Sequence, residues 1–165
     1  MILGISTGAF TLVHVIITLV AISSGLIVVG GMFASARLPG TTALFLFATA
    51  LTSITGFLFP IQGFTPALGV GVLACLILAV ALVALYKQDL VGAWRWIYVI
   101  TAIVSLYLNV FVLVAQSFMK IPALNALAPT QSEPPFAITQ ATVLVIFIVI
   151  GLIATANFRP VVTRA

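Results

Sequence analysis

Charge is what this sequence has least of: six basic and two acidic side chains in 165 residues, 5% of the chain, where soluble proteins carry about 25%. A water-soluble surface cannot be built from so few charged groups, which excludes an ordinary globular domain. The formal charge of +4 is too thinly spread to form a basic patch, so no nucleic-acid partner is expected. Cysteine is nearly as scarce. Cys75 alone, inside "GVLACLILAV", allows no disulfide framework and no CxxC metal or redox spacing. The single histidine, His14, and the only carboxylates, Asp89 and Glu133, lie at different depths and supply no nucleophilic triad. A His14/Cys75 pair is incomplete for zinc, and a haem bound by His14 would lack a second axial ligand, since Met32 and Met119 fall at opposite membrane edges. No metal, haem or other cofactor is predicted, with a quinone or lipid left as possible. No lysine or arginine precedes Arg37, and the first apolar run is longer than about 20 residues, so that run is expected to stay in the protein rather than be cleaved as a signal peptide.

What is abundant is hydrophobic sequence, 64% of residues. Apolar runs long enough to cross a bilayer, about 20 residues each, occur over residues 6–32, 42–62, 66–86, 94–118 and 138–158. The expected fold is therefore an all-α integral membrane protein, one transmembrane domain over residues 1–165, with five transmembrane helices in a bundle. Pro39-Gly40, Pro60 to Pro66, Lys87 to Gly92 and Pro122 to Pro135 break the runs. Basic residues in short loops accumulate on the cytoplasmic side. With the N-terminus outside, Arg37, Lys87, Arg95, Arg159 and Arg164 fall inside and only Lys120 outside, which places the C-terminus in the cytoplasm. Aromatic residues mark the same two interfaces: Phe33, Tyr86, Trp94, Trp96 and Phe158 at the inner edge, Phe59, Phe64, Phe118 and Phe136 at the outer. Asp89 reads as a residue that solvates its loop beside Lys87.

His14 sits in the apolar stretch "TLVHVIITLV". Steps of three and four along a helix keep one face, and from His14 they give Thr7, Thr11, Thr18, Ala21 and Gly25, a small and polar stripe. Val13, Ile16, Ile17, Leu19 and Val20 are left for lipid or an apolar neighbour. The same walk on the fourth span gives Tyr98, Ala102, Ser105, Asn109, Val112 and Gln116. At 1.5 Å per residue His14 and Asn109 lie roughly 12 and 14 Å below the outer ends of their helices, and Thr49, Thr52 and Ser53 of the second span fall near that level. The expectation is a polar site in the outer half of the bundle, with His14, Thr18, Thr52, Ser53, Asn109 and Gln116 as candidate ligand-binding residues and His14 hydrogen-bonded to Asn109. The alternative is interhelical hydrogen-bond glue, at about 0.6 kcal/mol per bond. On the third span Ala67, Gly71, Cys75 and Ala79 form a small-residue ladder that permits close helix approach. The fifth, with "VLVIFIVIGLI" at its centre, is expected at the periphery. The outer loop 119–137 carries Ile121, Leu124 and Leu127 on one apolar face and reads either as a cap over the bundle or as a tether. Gly4 and Gly8 form a GxxxG at a helix end, a weak dimerisation signal.

"TALFLFATALTSITGFLFP", "WRWIYVITAIVSLYLNVFVLVAQ" and "PALNALAPTQSEPPF" resemble a family of small uncharacterised inner-membrane proteins of proteobacteria, over most of the chain. The resemblance implies a multi-pass protein of the bacterial inner membrane with an unprocessed chain, and it brings no catalytic or binding residue. Three function classes follow from the residues. The leading expectation is a non-catalytic accessory subunit or assembly factor of a larger membrane complex, with a membrane-protein partner or a homo-oligomer beside the lipid bilayer. The alternative is an amphiphile-binding protein for a quinone or lipid, with His14 and Asn109 donating hydrogen bonds. Small-solute transport comes last, since five spans without inverted repeats or a broken helix fit transporter construction poorly.

Overall fold

Proline stands at the first position of four of the six helices, where its fixed φ and missing N–H cost nothing. The computed structural model describes residues 1–60, 63 and 66–160. The expected end of the second span at 61–62, the aromatic marker Phe64 and the cation Arg164 lie outside the described residues. The elements are α1 (Thr7–Phe33), α2 (Pro39–Phe57), α3 (Pro66–Leu82, continued by a π-helical turn over Val83–Lys87), α4 (Trp94–Lys120), the short α5 (Pro122–Leu127) and α6 (Pro134–Asn157). Five of the six, all but α5, are long and apolar enough to cross a membrane. At 27 residues, α1 is about 40 Å long, more than the roughly 30 Å hydrocarbon layer.

The ends explain where the expected boundaries move. α2 begins at Pro39 rather than 42 because the proline initiates it, and α6 begins at Pro134 rather than 138 for the same reason. α2 stops at Phe57, ahead of Pro60, since the residue before a proline is disfavoured in helical backbone. The Ser6 hydroxyl caps α1 by accepting the Ala9 N–H at 3.2 Å. Gly4 precedes that cap with φ +82, in a turn closed by reciprocal Ile2 and Ile5 backbone bonds, and open space surrounds it and Gly8. The GxxxG pair thus makes no helix contact among the described residues.

The long helices alternate in direction, and α4 packs against all four others. α6 is the least embedded: its buried residues, Gln140, Phe147 and Ala154, recur every seven positions, a seam one side chain wide. The peripheral place expected for the fifth span is therefore found. Where α1, α2 and α4 meet, close approach depends on Gly25. A Cβ there would lie 2.7 Å from Leu106 Cδ1 and 2.9 Å from Phe45 Cε2, and both of those side chains are fully buried. Gly71 of the small-residue ladder plays the same part for α2 and α3, with the Phe57 ring 3.0 Å from where its Cβ would stand.

One end of the bundle, hereafter the basic end, carries Arg37, Lys87, Arg95 and Arg159 with Asp89 among them. The other, the loop end, has Lys120 and Glu133. The α5 loop there is folded rather than a loose tether. Gln131 Nε2 donates to the Ala115 carbonyl at 2.7 Å, Asn125 Nδ2 to the Phe118 carbonyl at 3.2 Å, and the Phe118 and Phe136 rings meet edge-on at 5.4 Å.

Candidate functional site

Two places bring polar side chains together, and they differ in kind. The first is a seam running through α1, α2 and α4 towards the loop end. His14 Nδ1 lies 2.7 Å from Thr55 Oγ1, and that same oxygen is 2.7 Å from the Leu51 carbonyl. A carbonyl has no proton to give and Thr55 has one. Both contacts are satisfied when His14 Nδ1–H donates to Thr55 and Thr55 donates to Leu51, an assignment made from the network. Phe59 packs edge-on against the imidazole at 5.3 Å. Nε2 remains as an acceptor with no partner among the described residues.

Asn109 is engaged elsewhere: its Nδ2 donates to Thr49 Oγ1 at 3.1 Å, and both residues are buried. Thr18 donates to the His14 carbonyl at 2.9 Å and its oxygen stands 3.4 Å from Thr52 Oγ1. Ser53 donates to the Thr49 carbonyl at 3.1 Å. Gln116 is half-buried with no hydrogen bond among the described residues. The six candidate residues therefore line α1, α2 and α4 as expected, but no bond joins His14 to Asn109. Each instead pairs with a threonine of α2, the helix whose polar face lies against both neighbours. Of the donors assigned to an incoming amphiphile, the ring N–H of His14 and one of the two amide N–H groups of Asn109 are used within the protein. Ser105, 1% exposed on the α4 face, has a hydroxyl without a partner among the described residues.

The second place is a cavity of about 610 Å³ at the basic end, between α1, α2, α4, the π-helical turn and the end of α6. Its wall is apolar: Val28 and Met32 from α1, Leu85 and Leu90 from the turn, Phe158 after α6. Tyr98, 2% exposed, contributes its ring, and its hydroxyl is set against Thr42. The rim carries Arg37, Asp89 and Tyr86, all exposed. Backbone geometry puts Asp89 there. The π-helical turn closes with the Gln88 N–H on the Val83 carbonyl at 3.0 Å, after which Asp89 and Leu90 take left-handed backbone, φ +47 and φ +60. Leu90 turns inward and is buried, while its N–H reaches the Ala84 carbonyl at 3.1 Å. Left-handed backbone is tolerable for aspartate and costs about 1 kcal/mol or more for leucine, and π-helical turns often mark functional positions.

Of the other cations of this end, Arg95 has side-chain partners, Arg159 is held through its backbone, and Lys87 is exposed with no hydrogen bond or ion pair among the described residues. Arg95 Nη1 donates to the Thr155 carbonyl at 3.2 Å and to the Phe158 carbonyl, capping α6, and the Arg159 N–H donates to Ser35 Oγ at 2.8 Å. Arg37 and Asp89 have neither hydrogen bond nor ion pair among the described residues. Sequence reading missed this pair because it took Arg37 as a mark of topology and Asp89 as loop solvation. The available signal was the gathering of Arg37, Asp89, Tyr86 and Tyr98 at one end of the expected bundle. No three histidine, cysteine, aspartate or glutamate residues come together among the described residues. Comparison with protein families, with curated proteins and with solved structures finds no match.

Proposed function

We propose that this is a multi-pass bacterial inner-membrane protein, N-terminus outside, that binds one lipid-like amphiphile, a phospholipid or quinone, at its cytoplasmic edge. The observation that carries the reading is the basic-end cavity. Its volume lies within the roughly 300–1,000 Å³ of small-molecule sites, and it joins an apolar wall to a few polar groups at the mouth. An amphiphile needs that division, with its chain on Val28, Met32 and Leu90 and its head among Arg37, Tyr86 and Asp89. Four described cations at this end against one at the other support its cytoplasmic placement. The polar seam is read as interhelical glue, because His14 and Asn109 already donate to threonines of α2.

The test is native mass spectrometry of the full chain extracted in mild detergent, beside Ala43→Trp, which fills the cavity from an exposed position on its wall. One amphiphile mass per wild-type chain, lost from a normally folded Ala43→Trp, is the expected result. A bare wild-type chain, or the same adduct on both proteins, overturns the reading.

A second reading, a non-catalytic accessory subunit, draws on α6. With only three buried residues, that helix leaves Leu144, Val145, Ile148, Leu152 and their neighbours facing outward, open to lipid or to a partner's helix. A stoichiometric membrane-protein partner in the same spectra is its test.

A further inference from the structure

We infer that the basic-end cavity selects a phospholipid with a zwitterionic head that bears a primary ammonium, of the phosphatidylethanolamine type. The inference rests on the amphiphile reading and names the chemistry of its ligand. Arg37 and Asp89 both line the mouth of the cavity, yet they do not pair with one another or with any other described residue. One positive and one negative group, each unpartnered, give the mouth a net charge of zero and a separated charge pair.

A phosphate sets its negative charge against the Arg37 guanidinium, whose planar fork suits phosphate oxygens. An ammonium two carbons away, carrying three N–H donors, sets its positive charge against the Asp89 carboxylate. A purely anionic head would satisfy Arg37 and leave a carboxylate beside the lipid's own negative charge, a repulsive arrangement that discriminates against it. A quinone has no charge to offer either group. The Tyr86 ring on the rim and Tyr98 beneath are the amphipathic aromatics found at headgroup level. The lipid source, rather than a soluble zwitterion, follows from the continuous apolar wall of Val28, Met32, Leu85 and Leu90 below the charged pair. The left-handed turn that carries Asp89 to the rim, φ +47, continues through Leu90, φ +60, where that backbone is costly, and it leaves the carboxylate exposed at the mouth.

The experiment places the full chain in nanodiscs of equimolar phosphatidylethanolamine and phosphatidylglycerol with identical acyl chains, and reads the retained lipid by native mass spectrometry. Wild type should retain phosphatidylethanolamine over phosphatidylglycerol by roughly two- to fivefold, the range of exposed charge pairs. Asp89→Asn keeps the shape and tolerates left-handed backbone, so it should fold normally, hold a lipid and lose the preference. Arg37→Gln should lower retention of both lipids by a similar two- to fivefold factor. An adduct whose composition equals that of the nanodisc, or one enriched in phosphatidylglycerol, overturns the headgroup assignment and leaves amphiphile binding standing. So does a preference unchanged in Asp89→Asn. A wild-type chain with no adduct overturns the amphiphile reading itself.

Discussion

The His14 and Asn109 seam towards the loop end and the Arg37 and Asp89 pair at the basic end treat polar side chains in opposite ways. At the loop end His14 gives its proton to Thr55, Asn109 to Thr49 and Gln131 to a backbone carbonyl, and even the exposed Glu133 carboxylate is wrapped by Thr130 and Ser132. At the basic end Arg37 and Asp89 stand over a cavity without partners. Depth explains the difference. A polar group inside the apolar layer has no water to fall back on, so one that is not bonded internally costs several kcal/mol. At the edge, water and lipid heads satisfy a charge, and a protein can leave it free to meet a ligand. An unpaired polar group is thus most informative at the interface, whereas a paired one in the interior needs only packing to account for it.

The largest expected effect comes where both ends share a waist. Gly25 lies between Phe45 of α2 and Leu106 of α4, both 1% exposed and unable to swing away. Gly25→Leu should destabilise by about 1–3 kcal/mol through overpacking, seen as a lower unfolding midpoint by Trp94 and Trp96 fluorescence in detergent. The seam and the cavity should fail in one transition, since α1, α2 and α4 build both. Two separate transitions would mean that the two ends are independent, and the contrast between them would lose its common frame.

Next come the paired groups. Asn109→Leu removes a buried bond to Thr49 and should cost about 1 kcal/mol. His14→Phe, at a half-buried position against Phe59, should cost about 0.6 kcal/mol. Neither should alter the amphiphile retained at the basic end. Equilibrium unfolding in mixed detergent gives the stabilities and native mass spectrometry the adduct. Loss of the adduct from a folded His14→Phe would return the ligand to the loop end and make Nε2 its contact.

Much of this arrangement was legible in the residues. Run length alone locates the five long helices, and the seamless apolarity of "VLVIFIVIGLI" is enough to push α6 outward. The stripe through His14, Thr18 and Gly25 does face protein, because periodicity determines a face. It does not determine a partner: α2 carries Thr49, Thr52 and Thr55 at steps of three, about 60° and 4.5 Å apart, and which of them meets His14 or Asn109 depends on how the helices are rotated and slid against each other. The cavity was illegible for another reason. It is made by backbone, a π-helical turn followed by two left-handed residues, and neither is signalled by "YKQDLVG", where a glycine at 89 or 90 would have announced the turn.

The smallest effect tests whether the loop end is self-satisfied out to its surface. Desolvation of Glu133 would raise its pKa, but donors from Thr130 Oγ1 at 2.9 Å, Thr130 N at 3.2 Å and Ser132 N at 3.1 Å together outweigh it and hold the carboxyl below its usual 4.5. A depressed folded value means that the ionised form supports the fold of the loop. That support is complete above the unfolded pKa of 4.5 and is lost as pH falls through the folded value. Amide exchange at Thr130 and Ser132, corrected for intrinsic rates, should therefore stay protected at neutral pH and loosen as the pH is taken well below 4.5. In Glu133→Gln the same amides should be loosened at neutral pH and show no step. Because the carboxylate also stands at the N-terminus of α6, where the helix dipole favours negative charge, the loosening should reach Phe136 and Ala137, whose N–H groups donate to the Glu133 carbonyl. A loop equally protected at both pH values would show that Pro134, Pro135 and the Phe118–Phe136 contact hold it without the carboxylate, and that exposed charge is as uncommitted at this end as at the other.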